Sequence, residues 1–158
     1  MRLEGDDSEY LCLNDSISET FVKNLESKKV DSTITILYDY DNGRLPGSIR
    51  AMIWSDKGIG KVRIIQGCDR ITKDTTFEYN LAELWRYIDQ TKFDDVSIRI
   101  KSGNGQSHDM FYHITVATPT KSFIVVVRDN ERQRTEKHKT PETDSRVMLT
   151  NKVDAILK

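Results

Sequence analysis

The chain has 158 residues, of which 37% are hydrophobic and 31% charged, and 24 basic against 25 acidic residues give a formal net charge of -1. This length suits one domain with a single hydrophobic core, and the composition is that of a globular chain rather than a disordered one. A net charge near zero argues against a protein that coats nucleic acid or an anionic membrane through its overall field.

The N-terminal segment is acidic and has no clear hydrophobic period, so residues 1–14 are predicted to form a loose arm. No stretch is apolar enough to serve as a secretory signal or to span a bilayer. Cys12 and Cys68 are far apart and belong to no paired motif. We therefore expect a cytoplasmic protein with reduced thiols.

The first half of the chain predicts a helix followed by three strands. Ser16 and Glu19 have the spacing of a capping box, and Ile17, Phe21 and Leu25 recur every fourth residue, which predicts a short amphipathic helix. Turn residues favour an antiparallel meander after it. Its strands are the stretches rich in β-branched and aromatic residues near 32–40, 48–54 and 60–66.

The second half repeats this order. A Thr-rich loop is predicted at 72–76, and Leu81, Leu84, Trp85 and Ile88 mark one face of the clearest helix in the chain. Three more strands are predicted near residues 95–101, 110–117 and 122–128.

A charged segment separates these elements from a last helix. The stretch 129–145 contains no apolar residue and mixes both charge signs, which predicts a flexible linker. Leu149, Val153 and Ile156 then return at helical spacing and predict a helix that docks back or binds another molecule. The predicted organisation is an arm, an α+β domain, a linker and a helix, at residues 1–14, 15–128, 129–145 and 146–158.

Meanders joined by helices predict the fold class. We expect a single α+β domain with a mostly antiparallel sheet, built from two helix-plus-three-strand halves, with a C-terminal helix and with helices packed on one sheet face. The order helix, three strands, helix, strands, helix is similar to that of small dimeric secretion chaperones. This resemblance implies a binding role, and a homodimer is a further hypothesis.

The most suggestive feature is a basic stretch between residues 44 and 73, which contains seven basic residues and only two acidic ones. Strand alternation lets Arg50, Trp54, Lys61 and Arg63 share an outer face of the sheet. Such a face is of the kind that binds single-stranded nucleic acid, and it would also suit an acidic protein partner. The alternatives are a solvated sheet face or a Trp covered by a helix.

Two His-x-Thr triplets, begun by His113 and His138, have the form found in the two-histidine phosphoesterases, where imidazoles act as acid and base. The second triplet lies in the charged linker, so coincidence explains the pair better than a shared cleft. No other group of residues is spaced for catalysis or for a metal, and no cofactor is indicated.

The leading interpretation is a non-enzymatic binding protein of the inhibitor, immunity or adaptor type. It would recognise a macromolecular partner, more readily protein than nucleic acid, through the basic, Trp-containing face or the C-terminal helix. The alternatives are a single-stranded nucleic-acid-binding protein that uses the basic meander and a phosphoesterase that uses His113.

Overall fold

A computed structural model describes residues 13–28, 30–39, 49–67, 70–93, 111–128 and 145–158. Across these ranges the chain forms a single α+β domain with three helices and a six-stranded antiparallel sheet. None of the helices in the described ranges is long and apolar enough to cross a membrane. The elements are α1 (Leu13–Ser27), β1 (Ser32–Asp39), β2 (Ile49–Asp56), β3 (Ile59–Gln66), β4 (Lys73–Glu78), α2 (Ala82–Gln90), β5 (Phe111–Ala117), β6 (Ser122–Arg128) and α3 (Ser145–Leu157).

The strands lie in the order β4-β3-β2-β1-β5-β6, and every neighbouring pair is antiparallel. β1 to β4 form a meander, while β5 and β6 extend the sheet from the other side of β1. The turn between β2 and β3 consists of Lys57 and Gly58, with φ values of 51° and 79°. Two positive φ values are those of a type I′ turn, whose twist matches that of the flanking strands.

Helices cover both faces of the sheet. On the α2/α3 face, the buried side chains of β2, β3, β5 and β6 pack against α2 and α3 and form the larger core. On the α1 face, Met52, Trp54 and Ile65 pack against Leu25 of α1. The expectation that all helices pack on one face is therefore wrong, because β2 and β3 carry apolar residues on both faces and α1 buries its own apolar stripe on the second one.

The described elements agree with most of the predicted ones, with one correction. Residues 73–76 of the Thr-rich stretch predicted as a loop at 72–76 belong to β4, which pairs with β3 along its whole length. It is an edge strand whose side chains are exposed except for the half-buried Phe77, so it shows no alternation of apolar and polar residues.

Several predicted features fall outside the described ranges. These are the strand near 95–101, nearly all of the arm at 1–14 and nearly all of the linker at 129–145. The arrangement in two halves of a helix and three strands therefore stays a prediction.

Candidate binding site

The four residues of the predicted basic face lie on one face of the sheet. Arg50 and Trp54 occupy alternate positions of β2, and the register with β3 sets Trp54 opposite Lys61 and Met52 opposite Arg63. All four side chains therefore belong to the α1 face, as strand alternation in the sequence predicts.

α1 covers the β2 members of this group. The Trp54 side chain is buried, and its ring meets that of Phe21 edge to face, with the ring centroids 5.0 Å apart. Arg50 is also buried, and its Nη1 donates a hydrogen bond to Oγ of Ser18 on α1. Arg50 and Trp54 are therefore, contrary to expectation, not exposed on an outer face. Burying the indole against the apolar stripe of α1 is lower in free energy than leaving both surfaces in water.

Lys61 and Arg63 are half-exposed, and acidic groups lie beside both of them. Arg63 donates from Nε and Nη2 to the two carboxylate oxygens of Asp74, at 2.9 and 2.8 Å, and its Cζ lies 4.9 Å from the centroid of the Phe21 ring. Nζ of Lys61 is 4.0 Å from Oδ2 of Asp56. These carboxylates balance the positive charge of the face and so weaken the attraction it could exert on phosphate groups.

The Arg63–Asp74 pair is expected to add a small, acid-sensitive contribution to stability. Hydrogen bonds from Arg63 hold the pKa of Asp74 below its ordinary value. The contribution is therefore complete above the unfolded-state pKa of the carboxyl and is lost as the pH falls through the lower folded-state pKa. Because the pair is half-exposed and screened by solvent, Asp74→Asn should lower the free energy of unfolding by about 0.5–1 kcal/mol at neutral pH.

Urea unfolding of the wild type and of Asp74→Asn, from about pH 7 down to about pH 2, measures this difference. The two curves should converge at the acid end. Asp89→Asn is the matched control, because the exposed Asp89 carboxylate forms no ion pair within the described ranges. Equal stability of the wild type and Asp74→Asn at all pH values would contradict the prediction.

His113 lies on β5, opposite Leu37 of β1 and Val126 of β6, and its side chain is half-buried. His138 lies outside the described residues, so the two His-x-Thr triplets remain a prediction. Within the described part of the chain, no group of three or more His, Cys, Asp or Glu residues could hold a metal ion.

The C-terminal helix, the second predicted binding surface, is docked on the domain. Val147, Leu149 and Val153 of α3 are at most 1% exposed and belong to the larger core. The hydroxyl of Tyr87 on α2 donates to the backbone carbonyl of Ser145 at 3.0 Å. The apolar stripe of α3 therefore faces the sheet and α2, and it is not available to a partner while the helix stays docked.

A groove that the sequence did not indicate lies at one end of the sheet, where the β2–β3 turn meets the connection from β4 to α2. We call it the hairpin groove. It encloses about 760 Å³ and is open to solvent. Ile59, Tyr79 and Trp85 are among the largest apolar residues that line it, and Asp31 and Glu78 supply carboxylates.

Close backbone packing builds the groove. The Tyr79 amide donates to the Gly60 carbonyl at 2.9 Å, which brings Tyr79 beside the start of β3. A Cβ on Gly60 would lie 2.1 Å from the Tyr79 carbonyl oxygen and 2.7 Å from Cγ of Leu81, so only glycine allows this approach. Nε1 of Trp85 donates to Oγ of Ser55 at 2.6 Å and ties α2 to β2. The groove is therefore formed by residues near the ends of strands and of a helix, and these contacts hold it in shape.

Two exposed apolar side chains distinguish the groove. Ile59 is 47% and Tyr79 43% exposed, and the only other exposed large hydrophobic side chains among the described residues are Ile124 and Met148, each at 37%. The sequence held one signal for this surface: Ile59 stands between two glycines, and Tyr79 comes shortly before the helix that Leu81, Leu84, Trp85 and Ile88 predict.

No protein-family model matches the chain, and comparisons with curated proteins and with solved structures likewise found no match. The groove itself offers apolar and aromatic surface, two carboxylates, and hydrogen-bonding groups of Ser32 and Asn80. None of the described residues that line it is a His, Cys, Lys or Arg.

Proposed function

We propose that the chain is a non-enzymatic binding protein that recognises a protein partner through the hairpin groove. The observation that carries the proposal is that Ile59 and Tyr79 are both exposed and both line a concave surface that also contains Trp85. Tyr and Trp are enriched at the energetic centres of protein interfaces, because they offer a large rigid surface together with a polar atom.

The charges of the groove indicate the chemistry of the partner. Asp31 and Glu78 contribute carboxylates, and the described lining has no basic side chain. A segment that presents an apolar side chain next to Lys or Arg would be complementary in both shape and charge. Complementary charge also speeds association and disfavours acidic competitors.

Binding of single-stranded nucleic acid has less support. Stacking on a base requires an accessible aromatic ring, and phosphate contacts require available cations. Trp54 lies beneath α1, and Arg63 is engaged by Asp74. A phosphoesterase activity is supported only by the position of His113. Binding through the groove is therefore the function that we propose.

Site-specific photo-crosslinking tests the proposal. A photoreactive phenylalanine analogue at position 79 should capture a partner from native extract that the same analogue at position 148 does not. Met148 is the matched control, since it is a large hydrophobic residue with 37% exposure that lies outside the groove. Ile59→Asp and Tyr79→Ser should each weaken binding of the captured protein at least about tenfold, and Met148→Asp should not.

Both groove variants change exposed side chains, so the circular dichroism of the wild type should be retained. Capture of the same proteins from positions 79 and 148 would argue against the groove as the interface. Wild-type affinity in Ile59→Asp would do so as well.

A further inference from the structure

A second cavity lies on the α2/α3 face, between the sheet and the C-terminal half of α3. We call it the α3 pocket. It has a volume of about 230 Å³ and shares no lining residue with the hairpin groove. Ile49, Ile64 and Ile114 of the sheet form one apolar side, and Val153 and Leu157 of α3 form the other.

The helices leave this part of the sheet face unfilled. The start of α2 lies near the β2–β3 turn, because Leu81, the residue before the helix, approaches Gly60. α3 packs against β6 and α2. The area of β2 and β3 at the opposite strand ends, near Ile49 and Gln66, is the one that borders the cavity. An apolar hollow that keeps an opening to solvent is the usual form of a small-molecule site.

The charged side chains that line the pocket carry an excess of positive charge. Lys73 and Lys158 contribute two ammonium groups against the one carboxylate of Asp154. Oδ2 of Asp154 lies 3.1 Å from Nζ of Lys158, so these two charges neutralise each other. Lys73 is exposed and forms no ion pair with any residue that the structure describes, and it lies opposite Gln66 in the register of β3 with β4.

We propose that the α3 pocket binds a small amphiphile that has an apolar body and one carboxylate. The apolar body fills the space between the sheet isoleucines and α3, and the carboxylate pairs with the ammonium group of Lys73, with the amide of Gln66 as a second donor. A cavity of 150 Å³ accommodates benzene, which scales to about nine non-hydrogen atoms for 230 Å³. A medium-chain carboxylate of about eight carbons has this size.

Titration of the ¹⁵N-labelled full chain with sodium octanoate tests the assignment by NMR. Octanoate should shift the amide signals of residues that line the pocket, with a Kd of about 0.1–1 mM for a ligand of this size. Octan-1-ol and octylammonium are the matched ligands. The alcohol should bind several-fold more weakly, and the cation at least about tenfold more weakly, because its charge would face Lys73.

Two variants separate the contribution of the charge from that of the cavity. Lys73→Gln should weaken octanoate about fivefold and leave octan-1-ol unchanged, whereas Lys92→Gln, at an exposed lysine outside the pocket, should alter neither. Leu157→Trp should fill the cavity and abolish binding of all three ligands. Should this variant fail to fold, the Lys73→Gln comparison still decides the proposal, because Lys73 is exposed.

Several outcomes would overturn the proposal. If octanoate leaves the pocket signals unshifted up to about 10 mM, or shifts only signals elsewhere, the cavity is no site for this ligand. Equal affinity for octanoate and octylammonium, or unchanged octanoate affinity in Lys73→Gln, would refute the pairing with a carboxylate. None of these outcomes bears on the hairpin groove, which is tested separately.

Discussion

Replacing Trp54 with alanine is expected to lower the free energy of unfolding by about 3–5 kcal/mol. The indole is 6% exposed and packs against the ring of Phe21, in a cluster with Leu25, Met52 and Ile65. Its removal would leave a cavity beneath α1 at the site where the helix is held to the sheet. Urea unfolding at constant temperature, followed by far-UV circular dichroism, measures the loss.

Tyr79→Ala is the control for this substitution, since it removes another large aromatic ring from a residue that is 43% exposed. Its effect on stability should stay below about 1 kcal/mol. A similarly small loss in Trp54→Ala would mean that α1 does not hold the indole in solution. The basic face would then be accessible, and nucleic-acid binding would regain its support.

Strand alternation predicts which side chains share a face, but it does not predict what covers that face. It correctly groups Arg50 and Trp54 with Lys61 and Arg63. Whether the face is covered depends on where α1 docks. The amphipathic pattern of α1 predicts only that one side of the helix is buried. The apolar pair of Met52 and Trp54 was the available indication that this face, too, belongs to the core.

The sequence does not predict β4, for a different reason. Its sequence, Lys73 to Glu78, has two adjacent threonines and a single large apolar residue, Phe77, so no apolar alternation marks it as a strand. It forms because β3 offers an unpaired edge that its backbone can satisfy. Tertiary pairing of this kind leaves almost no trace in the local sequence.

The hairpin groove could not be predicted from the sequence because its residues come from three separate segments of the chain. Ile59 begins β3, Tyr79 lies in the connection that follows β4, and Trp85 belongs to α2. They meet only through the pairing of β3 with β4 and the contact of Tyr79 with the Gly60 carbonyl. The α3 pocket likewise depends on where α3 crosses the sheet.

Replacing Leu149 with alanine should lower the free energy of unfolding by about 2–5 kcal/mol, because its side chain is fully buried between α3 and the rest of the larger core. The substitution decides whether the C-terminal helix is a structural part of the domain or a detachable binding element. Chemical denaturation of Leu149→Ala beside Met148→Ala provides the comparison. Met148 is the adjacent residue on the same helix and is 37% exposed, so its truncation should cost less than about 1 kcal/mol.

The size of the Leu149 effect bears directly on function. A large loss means that a partner could reach the apolar stripe of α3 only by opening the core, at a free-energy cost at least as large, which leaves the hairpin groove as the better docking surface. If Leu149→Ala is as mild as Met148→Ala, α3 contributes little to the folded state and can leave the sheet. The α3 pocket would then lose one of its walls, and binding through the released helix would become the stronger proposal.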